Sequence, residues 1–468
     1  MGFEAENLLP LVDEGLGNSA YLVDLGDGRA LAVDVSLDLR GMREAAARRN
    51  LKLAYAADTH LHADFVSGAV QLAHDDGATV VASANGRRGF PHVGLVDEQD
   101  LDLGGLTLRG LATPGHTDEH TTFALLDGSR TLGVFTGGSL IVGSAARTDL
   151  LGAERTEELA AAQYRSLQRL AALPDETAVW PTHGAGSFCS APPSAERTST
   201  IGAQKATNPL LHVASEQQFV ADLIASLGSY PTYFARLGEV NRRGPALLPA
   251  LHDLPTFDLA ATDRLIAAGA QVVDVRPADQ FAAGHVPGAV SIPLRDQFAT
   301  WLGWVVPEHV PLVFVLADDQ APAEVFWQAH KIGYRQLAGR LAGGLAAWTG
   351  AGRDTDSIAF LTADQIGQRP VIDVRQRSEH RTSHIPGADN LELGSLVDHA
   401  ADAPEHAVAA CGHGERAMTA ASILRRAGHT DVAALDGGPD QWAESTGRRL
   451  VEGEERSGTS DLSAAEAS

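Results

Sequence analysis

The chain has 468 residues, 44% of them apolar, which is too long for one ordinary core and too apolar for a disordered protein; about three domains are expected. Its formal net charge is −24 and it contains no run rich in Lys and Arg, which argues against nucleic acid or an anionic membrane as a partner. No apolar run is long enough to span a membrane, the first residues (MGFEAENLLPLVDEG) are acidic where a secretion signal is basic and then apolar, and the only cysteines, Cys189 and Cys411, lie far apart; a cytoplasmic protein without structural disulfides is expected.

Over residues 1–200 short apolar runs alternate with Gly-rich turns. YLVDL (21–25), ALAVDV (30–35) and LKLAYAAD (51–58) read as strands, and 39–50 and 155–173 as helices, so the segment is predicted to be a layered α/β domain. Four apolar runs lead into groups that suit a metal or its surroundings: LKLAYAAD into His60, His62 and Asp64, LTLRGLATPG into His116, TLGVF into Thr136-Gly137-Gly138, and TAVWPT into His183. Strand ends share one edge of such a fold, and two histidines two residues apart on a turn can face one ion. Cys189, close in sequence to His183, is read as a buried core cysteine, and His74, His92 and His120 as ordinary histidines.

The motifs THLHAD, TPGHT, FTGG, RTDLLG (147–152) and WPTHGAG resemble those of the metallo-β-lactamase superfamily, and within it the persulfide dioxygenases and the glyoxalase II thioesterases. The resemblance implies an αββα sandwich. It also implies a metal held through His60, His62 and His116, with Asp64 and His183 as weaker ligands. In the dioxygenases, iron is held by the equivalents of His60, His116 and an aspartate. Two departures stand out: Phe65 occupies the place of a histidine of the second metal site, and Gly138 that of the aspartate. A set of neutral histidines still suits Fe(II), the ion the resemblance implies, or zinc as an alternative.

Residues from about 200 to 250 read as a helical appendage ending in a Pro-rich linker. The chain then repeats itself. QVVDVRPADQFAAGHVPGAV (271–290) matches PVIDVRQRSEHRTSHIPGAD (370–389), and AGGLAAW (342–348) matches DGGPDQW (436–442). Two copies of this length are tandem domains of one fold rather than solenoid repeats. In the second copy an apolar strand leads through Cys411-Gly412-His413-Gly414-Glu415-Arg416 into a helical pattern. Backbone N–H groups and the positive end of a helix dipole stabilise an anionic sulfur at such a turn, so Cys411 is expected to act as a nucleophile, assisted by Arg416.

This second copy resembles a rhodanese, through Asp-Val-Arg (373–375), His384-Ile-Pro-Gly, the Cys411–Arg416 loop and Gly437-Gly438. The resemblance implies sulfane-sulfur transfer through a Cys411 persulfide, with Gly412, His413, Gly414 and Glu415 lining the substrate. Related phosphatases hold one residue more between Cys and Arg, which favours sulfur over phosphate. In the first copy the cysteine position falls at Leu316 or Ala317, and Asp318 and Asp319 bring negative charge to the loop; that copy is read as a catalytically inactive rhodanese-like domain.

The order of parts resembles bacterial fusions of a persulfide dioxygenase with an inactive and then an active rhodanese. The expected layout is a metallo-β-lactamase-like domain with its appendage over 1–250, rhodanese-like domains over 251–353 and 354–452, and a disordered tail over 453–468. The expected partners are a low-molecular-weight thiol or persulfide and thiosulfate or sulfite, with no nucleic acid and no membrane, in a homo-oligomer. Zinc-dependent thioester hydrolysis and a non-catalytic scaffold presenting the rhodanese are the competing readings.

Overall fold

The computed structural model describes residues 5–190 and 195–453; the tail expected to be disordered lies, from residue 454 on, outside the described residues. The chain forms two compact units. One comprises Met1–Leu254, Arg295–His309 and Ala321–Leu337, and the other Pro255–Leu294, Val310–Gln320 and Ala338–Ser468. The helices Phe298–Val305 and Pro322–Lys331, from the segment expected to form the second domain, thus belong to the first unit.

The first unit holds two six-stranded sheets. One runs Leu8–Asp13, Asn18–Asp24, Arg29–Val33, Lys52–Asp58, Thr79–Ser83, Val93–Leu95 in spatial order. Its first three strands are antiparallel hairpin neighbours and the rest are parallel. The other runs Ser199–Thr200, Ala178–Pro181, Arg130–Gly137, Thr121–Asp127, Leu106–Ala112, Asp100–Asp102. Inward side chains alternate along these strands, as period-two patterning requires. Tyr21, Val23, Leu31 and Val81 of the first sheet share a core with Leu108, Phe123, Leu125, Phe135 and Trp180 of the second.

Each outer face is covered by helices. Arg40–Arg48 and Ala69–Asp76 pack Met42, Ala46 and Leu72 on the first sheet. Thr156–Ala171 and Glu216–Ser226 pack Leu167, Leu170, Phe219 and Leu223 on the second. This is the expected αββα sandwich.

The second unit holds two five-stranded sheets of the same order. One runs Thr256–Phe257, Leu337–Leu341, Leu312–Val315, Gln271–Asp274, Val290–Ser291; the other runs Ala359–Leu361, Ala433–Leu435, Val408–Ala410, Val371–Asp373, Asp389–Asn390. The Asp-Val-Arg motif does the same task in both. Arg276 pairs with Asp274 at 2.6 Å and donates to the Gly284 carbonyl at 2.8 Å; Arg375 pairs with Asp373 at 2.6 Å and donates to the Ser383 carbonyl at 2.6 Å. These buried ion pairs, with their spare donors capped by carbonyls, tie the strand end to the loop after it. Among the described residues no helix is long and apolar enough to cross a membrane.

Candidate functional sites

In the first unit the ends of three strands deliver a cluster of four buried imidazoles. His60 and His62 follow Lys52–Asp58, His116 follows Leu106–Ala112 and His183 follows Ala178–Pro181, and all four are at most 1% exposed. Donor atoms of His60, His116 and His183 lie within 4.8 Å of one another, as do those of Asp34, His60 and His62, and those of His62, Asp64 and His183. The structure therefore brings all five predicted ligands to one place. His60 and His116 are grouped with His183, expected to be the weaker ligand, whereas His62 shares one group with Asp34 and His60 and another with Asp64 and His183, and none with His116.

Asp34, which sequence reading missed, organises the floor of this site. It follows the strand Arg29–Val33 with φ at 50°, in the left-handed region. It accepts hydrogen bonds from the Thr59 N–H and hydroxyl at 2.7 Å each, from the Thr182 hydroxyl and from His62 Nε2 at 3.1 Å. Burial opposes its charge, but His62 and these donors outweigh burial and hold it down to about 2. For His62, burial likewise favours the neutral ring, and Asp34 outweighs it, raising its pKa. The signal was available: ALAVDV ends a strand in an aspartate at the same sheet edge as the histidines.

The remaining imidazoles stay neutral. Burial, then His183, pushes His116 down to about 3, and burial, then His62, pushes His183 down to about 3; His60 and His120 lie well below the usual value, chiefly through burial. His120, read as ordinary, stacks on His60 at 5.1 Å and accepts the Gly138 N–H at 3.0 Å. Phe65 is fully buried with its ring stacked on His62 at 4.1 Å.

His116 Nε2, His62 Nδ1 and Asp64 Oδ1 are buried without a hydrogen-bond partner. An unpartnered buried acceptor such as His116 Nε2 is costly, and with the donor atoms of His60 and His183 beside it a metal ion is what satisfies it, so the residues present fit one. Cys189 is fully buried, and its thiol is pushed well up by burial and then by Asp64, which fits a core cysteine.

In the second unit the strand Val408–Ala410 delivers Cys411 to the mouth of the helix Glu415–Arg426. Its Sγ accepts from the Gly414 N–H at 3.1 Å and the Ala417 N–H at 3.3 Å, a cradle for negative charge. Gly414 holds φ at 96°, and a Cβ there would stand 2.8 Å from the Phe360 ring. His413 is exposed at the loop's rim, while Gly412 and Glu415 are half-buried. Arg416 makes a bidentate pair with Glu379 at 2.7 and 2.8 Å. Burial raises the Glu379 carboxyl and Arg416 more than offsets this, so its pKa falls below the usual range. Glu379 also was not found from sequence; its side chain accepts the Gln376 N–H at 3.1 Å, capping the short helix Arg377–Thr382 that carries it.

The equivalent loop of the first repeat is closed on itself. The Ala317 N–H donates to Gln320 Oε1 at 2.9 Å, and Gln320 Nε2 donates to the Val275 carbonyl at 2.7 Å. A neutral amide thus folds back into the loop and ties it to the neighbouring strand end.

Residues 13–183 match the model of the metallo-beta-lactamase superfamily, and residues 259–351 and 361–445 that of the rhodanese-like domain. Hydroxyacylglutathione hydrolases of Acidiphilium cryptum and Methylococcus capsulatus are 31% and 35% identical, over 43% and 37% of this chain. The chain spans 88% of the first and 64% of the second, just under two thirds. The human mitochondrial persulfide dioxygenase ETHE1 is 28% identical over 36% of this chain and 60% of its own length. A crystal structure of a metallo-beta-lactamase from Staphylococcus aureus superposes with a TM-score of 0.64 at 27% identity, covering 71% of this chain and 98% of that one. The chain belongs to the metallo-β-lactamase superfamily through its first part and carries two rhodanese-like domains after it. That order of parts is the architecture of the persulfide dioxygenase–rhodanese fusions.

Proposed function

We propose that this protein is a sulfur-transfer enzyme acting through Cys411, coupled to metal-dependent oxidation of a low-molecular-weight persulfide in the first unit. The observation that carries the first activity is the pair of N–H groups on Cys411 Sγ. With thiosulfate as donor, the thiolate attacks the outer sulfur, the bond from that sulfur to the sulfonate breaks, and sulfite leaves with the electron pair. The resulting persulfide gives its outer sulfur to cyanide or a thiol and the thiolate is restored. The loop N–H groups stabilise the anionic sulfur at both stages, and Arg416, held by Glu379, adds positive charge beside the loop.

In the first unit His60, His116 and His183 are the residues that would hold an ion, Fe(II) being the expected one, with His62, Asp34 and Asp64 beside them. Bound there, it supplies the Lewis-acid or redox chemistry of the site. Similarity to hydroxyacylglutathione hydrolases favours a second reading, zinc-dependent thioester hydrolysis. Phe65 and Gly138 weigh against it, because they remove ligands that a two-metal site needs.

Cys411→Ser is expected to abolish thiosulfate:cyanide sulfurtransfer, whereas Cys189→Ser leaves it nearly intact; equal activity in wild type and Cys411→Ser would sink the assignment. Iron with oxygen uptake on glutathione persulfide supports the dioxygenase reading, and zinc with thioesterase activity the second. A metal-free protein inert in both assays supports a scaffold.

A further inference from the structure

Three of the clustered imidazoles have their tautomers decided by what lies behind them. His116 Nδ1 is 2.7 Å from the Arg147 carbonyl, which can only accept, so this nitrogen carries the proton. His183 Nδ1 is 3.0 Å from Asn18 Oδ1, and the amide's orientation is set by Asn18 Nδ2 donating to Asp64 Oδ2 at 2.6 Å. His60 Nδ1 is 2.9 Å from Thr59 Oγ1, whose own proton is committed to Asp34 Oδ2 at 2.7 Å. Each ring therefore points a bare Nε2 lone pair inward, with its outer nitrogen anchored as ligating histidines usually are. The Nε2 atoms of His60 and His183 face each other at 3.3 Å with no proton between them, and that of His116 is buried and unpartnered.

The neighbouring imidazoles are spent differently. His120 uses both nitrogens, one on the Thr113 hydroxyl at 2.9 Å and one on the Gly138 N–H at 3.0 Å. His62 gives its Nε2–H to Asp34 and lies flat against Phe65, and although its Nδ1 is unpartnered its donor atoms do not converge with that of His116. At Gly138, where the resemblance expects an aspartate, there is no room for a side chain: a Cβ would stand 2.6 Å from His116 Cδ2 and 2.9 Å from Ala146 Cβ. The His116 ring occupies the space through which a carboxylate would enter.

We infer that the first unit binds a single transition-metal ion through the Nε2 atoms of His60, His116 and His183, with no carboxylate ligand. Three neutral imidazoles suit Zn(II), Co(II) or Fe(II) and leave a coordination position open. The inference rests on reading the first unit as a metal site, not on the reaction assigned to it.

The test is an anaerobic Co(II) titration of the full-length, chelator-stripped protein, following visible d–d absorption. Wild type is expected to bind one equivalent. His116→Gln and His183→Gln should weaken binding by more than about 100-fold, while His62→Gln stays within about fivefold and Gly138→Asp gives no tightening. Absence of Co(II) binding to wild type overturns the inference, as does a loss in His62→Gln comparable with that in His116→Gln, wild-type affinity in His183→Gln, or tighter binding by Gly138→Asp. If circular dichroism shows a histidine variant to be misfolded, X-ray absorption of the zinc-loaded wild type decides: three imidazoles support the set, and two imidazoles with a carboxylate overturn it. Cys411→Ser should bind Co(II) as wild type does, so failure here and failure of the sulfurtransfer reading are separately visible.

Discussion

A methyl group placed on Gly438 would stand 2.2 Å from the Gly412 carbonyl oxygen and 3.3 Å from that of Cys411. The nucleophile loop therefore rests directly on the backbone of the Gly437-Gly438 turn, and only a missing side chain allows it. Gly438→Ala must move the loop or the turn, at a cost of about 1–3 kcal/mol, and the displacement falls on the N–H groups around Cys411 Sγ. Sulfurtransfer kcat/KM is expected to drop by at least about tenfold while the protein remains folded by circular dichroism. Wild-type kinetics in this variant would show that the loop adapts without cost. Glycine in the pair Gly437-Gly438 was visible in the sequence as part of a repeated motif, but nothing there said which residue it had to avoid.

At the scale of elements, two copies of one strand–loop plan have diverged in what the loop does. The strand Val408–Ala410 ends in a loop whose N–H groups face a sulfur; the strand Leu312–Val315 ends in one whose N–H at Ala317 is already bound by Gln320. Moving the thiol without reopening the loop should thus fail. Val315 pairs with Asp274 as Ala410 does with Asp373, so Leu316 stands where Cys411 does. Leu316→Cys in a Cys411→Ser background is expected to show no thiosulfate:cyanide sulfurtransfer, and turnover above that of Cys411→Ser alone would refute the closed-loop account. The duplication and the missing cysteine were legible in the sequence, because Asp-Val-Arg, His-x-Pro-Gly and Gly-Gly recur at matching offsets. Strand and helix patterns of the first domain were legible for the same reason, their apolar periodicities being unambiguous. Gln320 was not legible as the residue that closes the loop, since a side chain folding back on its own backbone leaves no periodic trace. The five metal-site residues were found because each follows an apolar run. Their grouping depended on side-chain partners far away in sequence, such as Asn18 behind His183 and Arg147 behind His116.

Across the whole molecule, burying so many imidazoles links stability to pH. In the first unit His116 and His183 are held at about 3, His330 at about 4, and His60 and His120 well below their ordinary value, in each case chiefly by burial. An unfolded histidine titrates near about 6.5. Because the folded values are lower, the unfolded chain binds more protons below that pH, and stability is whole above about 6.5 and lost as the pH falls toward about 3. Each such histidine contributes a slope of about 1.4 kcal/mol per pH unit once well inside that window. His62 has the opposite sign: its raised value lends stability below about 6.5 that fades as pH rises through the folded value. Asp58 and Asp64, raised chiefly by burial, also oppose the acid loss, but only where carboxylates begin to protonate. Five depressed imidazoles outweigh one raised one through the upper part of the window. The melting temperature of the chelator-stripped, full-length protein should therefore fall by several degrees or more between pH 7.5 and pH 5, well before ordinary carboxylates protonate. Saturating Zn(II) should raise it, by more at pH 7.5 than at pH 5, since the ion and protons compete for the same lone pairs. A melting temperature that stays flat from pH 7.5 to pH 5 would mean that the histidine cluster is open to water and charges without unfolding, and the buried neutral site described above would then be wrong.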